Sequence, residues 1–344
     1  MSGAAIRPLL AVRPQNWWRA KIPPLLGIAY LAITGGDTPA LTSAALLASY
    51  LCAVCLVAAF GHVINDTFDV ETDLRAGKPN QLADTGWSTR VLLCVLFLLA
   101  SYVPAVAAHY SALALLLLTL NLLWPAIYSL PGIRLKERGI AGLACDALGS
   151  HITPTLLALA VFGTAAGHSA AFPFVIVLWA AVLGIKGILH HQIGDRANDL
   201  RSGTVTFATR AQPNALIRFL TFFNLYVELP VSAVLAIVTW RFAPLIALVF
   251  VAYCAVELIK TYLGFRFALT AEPWSVRRSV PFANETFYTF WLPTAAALQL
   301  AIHDPFWLWL PFMHIVLFYP TVMELIAEIR GMIETAENQR RLGR

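Results

Sequence analysis

The feature that most constrains this chain is a series of apolar runs, each long enough to cross a lipid bilayer as a helix. A transmembrane helix needs about 20 predominantly apolar residues. Runs of that order lie near residues 17–35, 42–64, 89–108, 111–130, 139–162, 171–193, 214–240, 243–265 and 284–302, and a further run lies near 306–328. Only 12% of the residues are charged, against about 25% in a typical soluble domain. The sequence therefore predicts an all-α polytopic membrane protein with nine transmembrane helices, or ten if the last run also spans.

Lysines and arginines are concentrated in alternate loops. They occur in the N-terminal segment and after the second, fourth, sixth and eighth runs, whereas among the intervening loops only Arg241 breaks the pattern. Because cytoplasmic loops carry the excess of Lys and Arg, the N-terminus and these basic loops are predicted to be cytoplasmic, as suits a multi-pass protein of a bacterial inner membrane. The formal net charge of +5 lies mainly in these loops and indicates orientation rather than nucleic-acid binding. Residues 1–344 form one predicted membrane domain with a cytoplasmic tail at 329–344, and no obligatory protein partner is evident.

Two acidic stretches follow apolar runs on this same predicted side of the membrane. The first, after the second run, is GHVINDTFDVETDLRAGKPNQ (residues 61–81), and the second, after the sixth run, is HHQIGDRANDLRSG (residues 190–203). In the first, Asn65, Asp69 and Asp73 are spaced i, i+4, i+8 and so share one face of a helix. In the second, Asp195 and Asp199 have the same i, i+4 spacing. Carboxylates at the mouth of a membrane helix are costly to bury and indicate a functional site.

Facing helices with paired carboxylates suit a metal–diphosphate site. Mg²⁺ prefers oxygen ligands and is usually held by one or two carboxylates together with substrate phosphates. Metal and nearby cations would neutralise the charge on a departing diphosphate, while the apolar bundle would hold a hydrocarbon tail and exclude water. The alternative is that these acids are merely solvated at the membrane surface, but two helical registers on one side favour a site. The neighbouring basic residues are Lys78, Arg134, Lys136, Arg138, Arg196 and Arg201.

Four segments resemble the UbiA superfamily of intramembrane prenyltransferases. The segment NDTFDVETD resembles the NDxxDxxxD motif of that family, and DRAND, followed by LRSGTVTFA, resembles its second DxxxD motif. The segment YSLPGIRLKERG (residues 128–139) is similar to the family's YSxPxRLK segment, and RPQNWWRAK is similar to its RPxxW start. The resemblance covers nearly the whole chain and implies a bundle of about nine helices around a central cavity.

The resemblance also implies substrates, a cofactor and site residues. It implies an isoprenyl diphosphate donor, an aromatic or lipid-like acceptor, and Lys136 with nearby arginines as diphosphate ligands. The implied Mg²⁺ ligands are Asn65, Asp66, Asp69, Asp73, Asp195 and Asp199. The chain departs from the family pattern at Gln81, at His191 and at Val205-Thr206. At Gln81, where the family often has Arg, the departure weakens a diphosphate contact for which Lys78 can substitute. The departures lie near where the acceptor is expected, so they bear on acceptor identity more than on donor chemistry.

Several other polar residues are candidates for supporting roles. His191 is a candidate metal ligand, base or acceptor contact. With it, the catalytic candidates are Asp66, Asp69, Asp195, Asp199 and His191. The predicted diphosphate ligands are Lys78, Arg134, Lys136, Arg196 and Arg201. Asp146 and His151, in the fifth run, either face the cavity as acceptor contacts or bond to neighbouring helices.

Polar residues elsewhere in the apolar runs are assigned to structure. Glu257 and Lys260, spaced i, i+3, are predicted to form an ion pair inside the bundle. Glu228, Glu285 and His314 are interpreted as lone structural polar groups.

The function predicted from these observations is Mg²⁺-dependent transfer of an isoprenyl group within the membrane. Two other functions stay open. A membrane terpene cyclase of the same fold would use the tail's own double bond to capture the allylic cation. A transporter would need its key acids near the middle of the bilayer, whereas the strongest acidic clusters here are predicted at one surface.

Overall fold

The computed structural model describes residues 7–165, 167–263, 267–269, 278–280 and 285–341, and they are almost entirely helical. The main helices are α1 (Trp18–Ile33), α2 (Ala40–Arg75), α3 (Trp87–Ala107), α4 (Ala112–Ser129), α5 (Ile140–Phe162), α6 (Phe172–Ser202), α7 (Pro213–Thr239), α8 (Pro244–Tyr262), α9 (residues 287–303), α10 (Pro305–Leu317) and α11 (Tyr319–Arg341). Short helical turns lie at Arg7–Val12, Pro14–Asn16, Leu135–Glu137 and Phe207–Arg210. Two three-residue strands, β1 (Phe267–Leu269) and β2 (Arg278–Val280), pair antiparallel. The all-α membrane fold predicted from the sequence is confirmed.

The predicted number of membrane spans is not confirmed. Within the described residues, seven helices, α2 to α8, are long and apolar enough to cross a membrane, and α10 with α11 would make an eighth if that bent pair is one span. The first predicted span is a helix of only 16 residues, α1. The tenth predicted span breaks between α10 and α11, whose axes are bent by 72°. The predicted tail boundary at residue 329 falls inside α11.

Three of the helices contain a five-residue π-helical turn. These turns are Leu148–Ile152 in α5, Asn224–Glu228 in α7 and Phe287–Trp291 at the start of α9. Each ends two residues before a proline: Pro154, Pro230 and Pro293. Proline cannot donate a backbone hydrogen bond, and its ring displaces the carbonyl four residues earlier, which lies inside the π turn in all three cases. The prolines therefore explain why the helices widen at these points.

Helix α1 lies in the centre of the bundle. Its residues from Ile22 to Ile33 are all buried, and it packs against α9 and α5. Two pairs of helices in the bundle approach each other closely at a glycine. A Cβ at Gly27 would lie 3.1 Å from the Cα of Pro293, and a Cβ at Gly184 would lie 2.9 Å from the Cα of Ala147. Glycine at these positions thus allows α1 to meet α9, and α6 to meet α5, at backbone distance.

Candidate active site

Residues of α1, α2, α4, α5, α6 and α9 line one large cavity of roughly 680 Å³. Along α2 the lining side chains change from Val54 and Val57 to Asn65, Asp69 and Asp73. At 1.5 Å per residue this stripe is about 28 Å long. Along α6 the lining changes in the same direction, from Leu183 and Ile188 to the acidic residues Asp195 and Asp199. The cavity therefore has one apolar end and one charged end, and both acidic motifs meet at the charged end.

Asp69 is held by two cations from the segment between α4 and α5. The Arg134 guanidinium lies 3.0 Å from Asp69 Oδ1, and the Lys136 ammonium bonds Asp69 Oδ2. Lys136 also donates to Asn65 Oδ1 at 3.2 Å. Arg134 has a left-handed backbone with φ 41° and precedes the turn Leu135–Glu137, so this local bend brings both cations to the same carboxylate. Arg134 and Lys136, both predicted as diphosphate ligands, thus lie beside the first acidic motif.

Lys78 connects the two acidic motifs. It follows α2, and its ammonium lies 2.9 Å from Asp195 Oδ2 on α6. His191 Nε2 lies 3.7 Å from the same oxygen. Asn80 donates to Asp73 at 2.8 Å, and Thr206 donates to Asp199 at 3.2 Å. Each of the cavity carboxylates Asp69, Asp73, Asp195 and Asp199 therefore has a protein partner.

The two lysines of this site respond differently to their surroundings. Burial lowers the pKa of Lys136 below its ordinary value, although the charge of Asp69 opposes the shift. Burial also acts against the charged form of Lys78, but the hydrogen bond and charge of Asp195 outweigh it, so the pKa of Lys78 is raised. The difference follows from depth, because Lys136 is 8% exposed while a third of the Lys78 side chain, 33%, is exposed.

The donor set fits a magnesium ion shared with a substrate. Among the described residues, no group of three His, Cys, Asp or Glu side chains is close enough to hold a metal by itself. The cavity instead has two carboxylates on each of two helices: Asp69 and Asp73 on α2, Asp195 and Asp199 on α6. These are hard oxygen ligands, and Mg²⁺ commonly takes one or two of them and completes its shell with water and phosphate. The residues present therefore suit Mg²⁺ together with a diphosphate.

Three predicted site residues lie away from the cavity lining. Asp66 is 1% exposed, and its carboxylate lies 2.9 Å from the Arg13 guanidinium. Since successive residues of a helix are about 100° apart, Asp66 cannot share the face of Asn65 and Asp69. Arg196 donates to the Ala208 carbonyl, and Arg201 donates to Asn198 and to the Ala197 carbonyl. The metal and catalytic roles of Asp66, and the diphosphate contacts of Arg196 and Arg201, stay predictions.

A second polar layer lies on α5. Asp146 and His151 both line the cavity, as one of the two predicted alternatives requires. Ser150 Oγ lies 2.7 Å from His151 Nδ1 and donates to Asp146 at 3.4 Å, and the Lys21 ammonium is 3.9 Å from Asp146. The π turn Leu148–Ile152 brings Ser150 and His151 to this wall.

Sequence reasoning missed several residues of the cavity. His62 lines the cavity. It lies three residues before Asn65, so helical spacing alone predicts that His62 shares the face of Asn65 and Asp69. Lys21, a basic residue of the N-terminal segment that the sequence analysis did not single out, also lines the cavity. Glu285 was interpreted as structural and Tyr288 was not singled out, yet both line the cavity. No local pattern marks them, because they come from the far end of the chain.

Two predictions on buried charges had different outcomes. Lys260 and Glu257 form the predicted ion pair at 2.6 Å, and Glu328 of α11 also bonds Lys260. The interpretation of Glu228 as a lone group was wrong, since Lys186 of α6 lies 2.8 Å from Glu228 Oε2 and 2.9 Å from Oε1.

Comparison with known proteins agrees with the fold and the motifs. The family model of the UbiA prenyltransferase family matches residues 22–275. The fold is similar to that of a UbiA homologue from Archaeoglobus fulgidus bound to GPP and Mg²⁺, with a TM-score of 0.61, 18% identity, and coverage of 87% of this chain and 98% of that chain. The same homologue bound to DMAPP and Mg²⁺ gives a TM-score of 0.57, with 17% identity and coverage of 86% and 99%.

A structure of digeranylgeranylglyceryl phosphate synthase gives a TM-score of 0.52, with 17% identity and coverage of 87% of this chain and 98% of that chain. No curated protein sequence matches the chain. At these identities the solved structures establish the shared fold, and the match of the family model over most of the chain establishes the family. The chain belongs to the UbiA prenyltransferase family.

Proposed function

We propose that the protein transfers an isoprenyl group from an isoprenyl diphosphate to an aromatic or lipid-like acceptor inside the membrane, with Mg²⁺ as cofactor. The observation that carries this proposal is the division of one cavity into a charged end and an apolar end. An isoprenyl diphosphate has the same division. Its diphosphate suits the end with Asp69, Asp195 and Lys136, and its hydrocarbon tail suits the wall around Val54 and Leu183.

At the charged end, the carboxylates would bind the metal and the cations would bind the diphosphate. Asp69, Asp73, Asp195 and Asp199, with Asn65, would hold Mg²⁺, which when bound supplies positive charge that stabilises a leaving diphosphate. Lys78, Arg134 and Lys136 would bind the diphosphate oxygens. Lys78 pairs with Asp195, and Arg134 and Lys136 pair with Asp69, so these cations lie beside the carboxylates that would hold the metal.

The acceptor would lie between the two ends, next to the polar layer of α5. Asp146, His151 and Lys21 could orient a polar group of the acceptor, and His191 could accept its proton. The apolar walls would keep water from the allylic cation. We also propose that the charged end faces the cytoplasm, because the basic loops adjoin it.

The test is diphosphate release by the purified protein in detergent. A panel of allylic diphosphates would be supplied with and without Mg²⁺ and with a lipid extract as the source of acceptor, and organic products would be identified by mass spectrometry. We expect Mg²⁺-dependent release and a prenylated product. Release that yields only a cyclised hydrocarbon or alcohol would support a cyclase instead, and no release with any donor would overturn the proposed chemistry.

Two variants connect this activity to the site. Asp69→Ala and Asp195→Ala should each abolish diphosphate release while the protein remains folded, because each removes a carboxylate from a different motif. Asp37→Ala is the matched control, since Asp37 is exposed in the loop between α1 and α2 and does not line the cavity. Full activity of both cavity variants would contradict the metal-site assignment.

A further inference from the structure

Helix α11 is held against the bundle in one fixed rotation. Arg19 of α1 forms an ion pair with Glu324, and Lys260 of α8 forms one with Glu328, one turn further along α11. Gln339 then donates to the carbonyl of Leu263 at 2.8 Å. These contacts lie on one face of α11, so they determine which residues point away from the bundle.

The face that points away is mainly apolar over its first four turns, and Arg330 is the exposed charged residue within it. Met323, Ile326, Ile329 and Ile333 are spaced three or four residues apart and are 41%, 37%, 45% and 54% exposed. Residues with this spacing form one stripe along a helix. We call these four residues the outer stripe. It ends after Ile333, where Glu337 continues the same face.

The outer stripe follows an exposed apolar surface on α10. The exposed side chains Phe312, Ile315 and Val316 of α10 precede it along the chain. The axes of α10 and α11 are bent by 72°. The α11 partner Arg19 lies near the start of α1, six residues after Arg13, which pairs with Asp66 of the first acidic motif, so α11 lies at the end of the bundle that carries the acidic motifs. An amphipathic helix in this position matches the geometry of a helix lying in the membrane interface, with its apolar face about 5–10 Å into the boundary with the acyl chains.

We propose that α11 is an interfacial membrane helix, whose outer stripe inserts into the lipid leaflet next to the charged end of the cavity. The partner of this surface is phospholipid. The surface is separate from the cavity, and the inference does not depend on the proposed reaction. Asn338 is exposed and lies about 180° around the helix from Ile329, so it is expected to remain in water.

Site-specific photo-crosslinking tests this placement. Benzoylphenylalanine would be introduced at Ile329 or at Asn338 of the full chain, which would then be placed in nanodiscs of phosphatidylethanolamine and phosphatidylglycerol. Leu96, an exposed residue of the membrane helix α3, is the positive control for lipid contact. After illumination, intact-mass and peptide analysis would identify what each position contacts.

We expect a phospholipid adduct at Ile329 comparable to that at Leu96, and none at Asn338. A crosslink from Ile329 to a second copy of the chain would assign the stripe to a dimer interface and overturn the proposal. Absence of adducts at Ile329, or equal lipid adducts at Ile329 and Asn338, would also overturn it. Circular dichroism and thermal unfolding of each labelled protein would verify that the inserted group leaves the fold intact.

Discussion

Two buried lysine–carboxylate pairs in this protein are alike in chemistry and differ in surroundings. Lys186 is 0% exposed, bonds both oxygens of Glu228, and lies 5.0 Å from the centre of the Tyr288 ring. Lys136 and Asp69 form a pair of similar burial, but both line the cavity, and Asp69 is shared with Arg134. The first pair is enclosed among helices, whereas the second borders a space that can admit a ligand.

The difference shows how one interaction can serve two purposes. A buried ion pair contributes little net stability compared with apolar side chains of the same volume, but breaking it leaves an uncompensated charge. Lys186 and Glu228 do not line the cavity, so a ligand that enters the cavity cannot take the place of either partner. For Lys136 and Asp69 a replacement partner can enter the cavity, so this pair can be exchanged for contacts with metal and phosphate.

The largest effect is expected from breaking the enclosed pair. Glu228→Gln should lower the free energy of unfolding by about 3–5 kcal/mol, because it removes the carboxylate charge that contacts the buried Lys186 ammonium through both oxygens. Thermal unfolding in detergent measures the loss. The double variant Lys186→Met/Glu228→Leu is the matched control and should recover most of the stability, and a stable Glu228→Gln protein would contradict the contrast between the two pairs.

A smaller effect, an increase in the free energy of unfolding, is expected when the cavity side chains exchange their protein partners for a ligand. Mg²⁺ with inorganic diphosphate should stabilise the protein by about 2.7 kcal/mol when the ligand is at 100 times its dissociation constant. The measurement is the shift of the unfolding transition with and without Mg²⁺. Asp73→Ala/Asp199→Ala should lose the shift, while Asp37→Ala should keep it; an equal shift in the double variant would show that these carboxylates are not ligands.

The smallest change in stability is expected at the mouth of the cavity. The pair of Lys78 and Asp195 is about one-third and one-quarter exposed, at 33% and 27%, so Lys78→Met should change the free energy of unfolding by no more than about 1 kcal/mol. The same variant should weaken diphosphate binding, which isothermal titration in the presence of Mg²⁺ would measure. A large loss of stability would mean that Lys78 belongs with Lys186 as a structural charge.

The parts of the site that follow from local spacing could be predicted from the sequence. The shared face of Asn65, Asp69 and Asp73 depends only on the helical repeat, and it lines the cavity. Asp66 shows the limit of motif reading, because a residue inside the motif can point elsewhere and bind Arg13. The helical repeat itself predicts this difference, because it places Asp66 on a different face of α2 from Asn65 and Asp69.

Contacts between distant parts of the chain could not be predicted in this way. Lys78 and Asp195 are 117 residues apart, and Lys186 and Glu228 are 42 residues apart. Which lysine meets which carboxylate depends on how α2, α6 and α7 pack, and no short-range pattern contains that information. The bend between α10 and α11 has the same origin, because an apolar run alone does not state whether a helix continues straight.

The three π turns give the cavity wall defined places where chain length can change. A π turn contains one more residue than the α-helical turn it replaces. Deleting one residue between Leu148 and Ile152 would therefore close the turn into ordinary helix and leave the two halves of α5 in nearly the same rotation. A deletion between Leu183 and Asp195 of α6, where the helix is α-helical throughout, would instead rotate the two halves of that helix by about 100° relative to each other. Leu183 and Asp195, which now line the same cavity, would then face different directions, so losses of single residues should be tolerated better just before Pro154, Pro230 and Pro293.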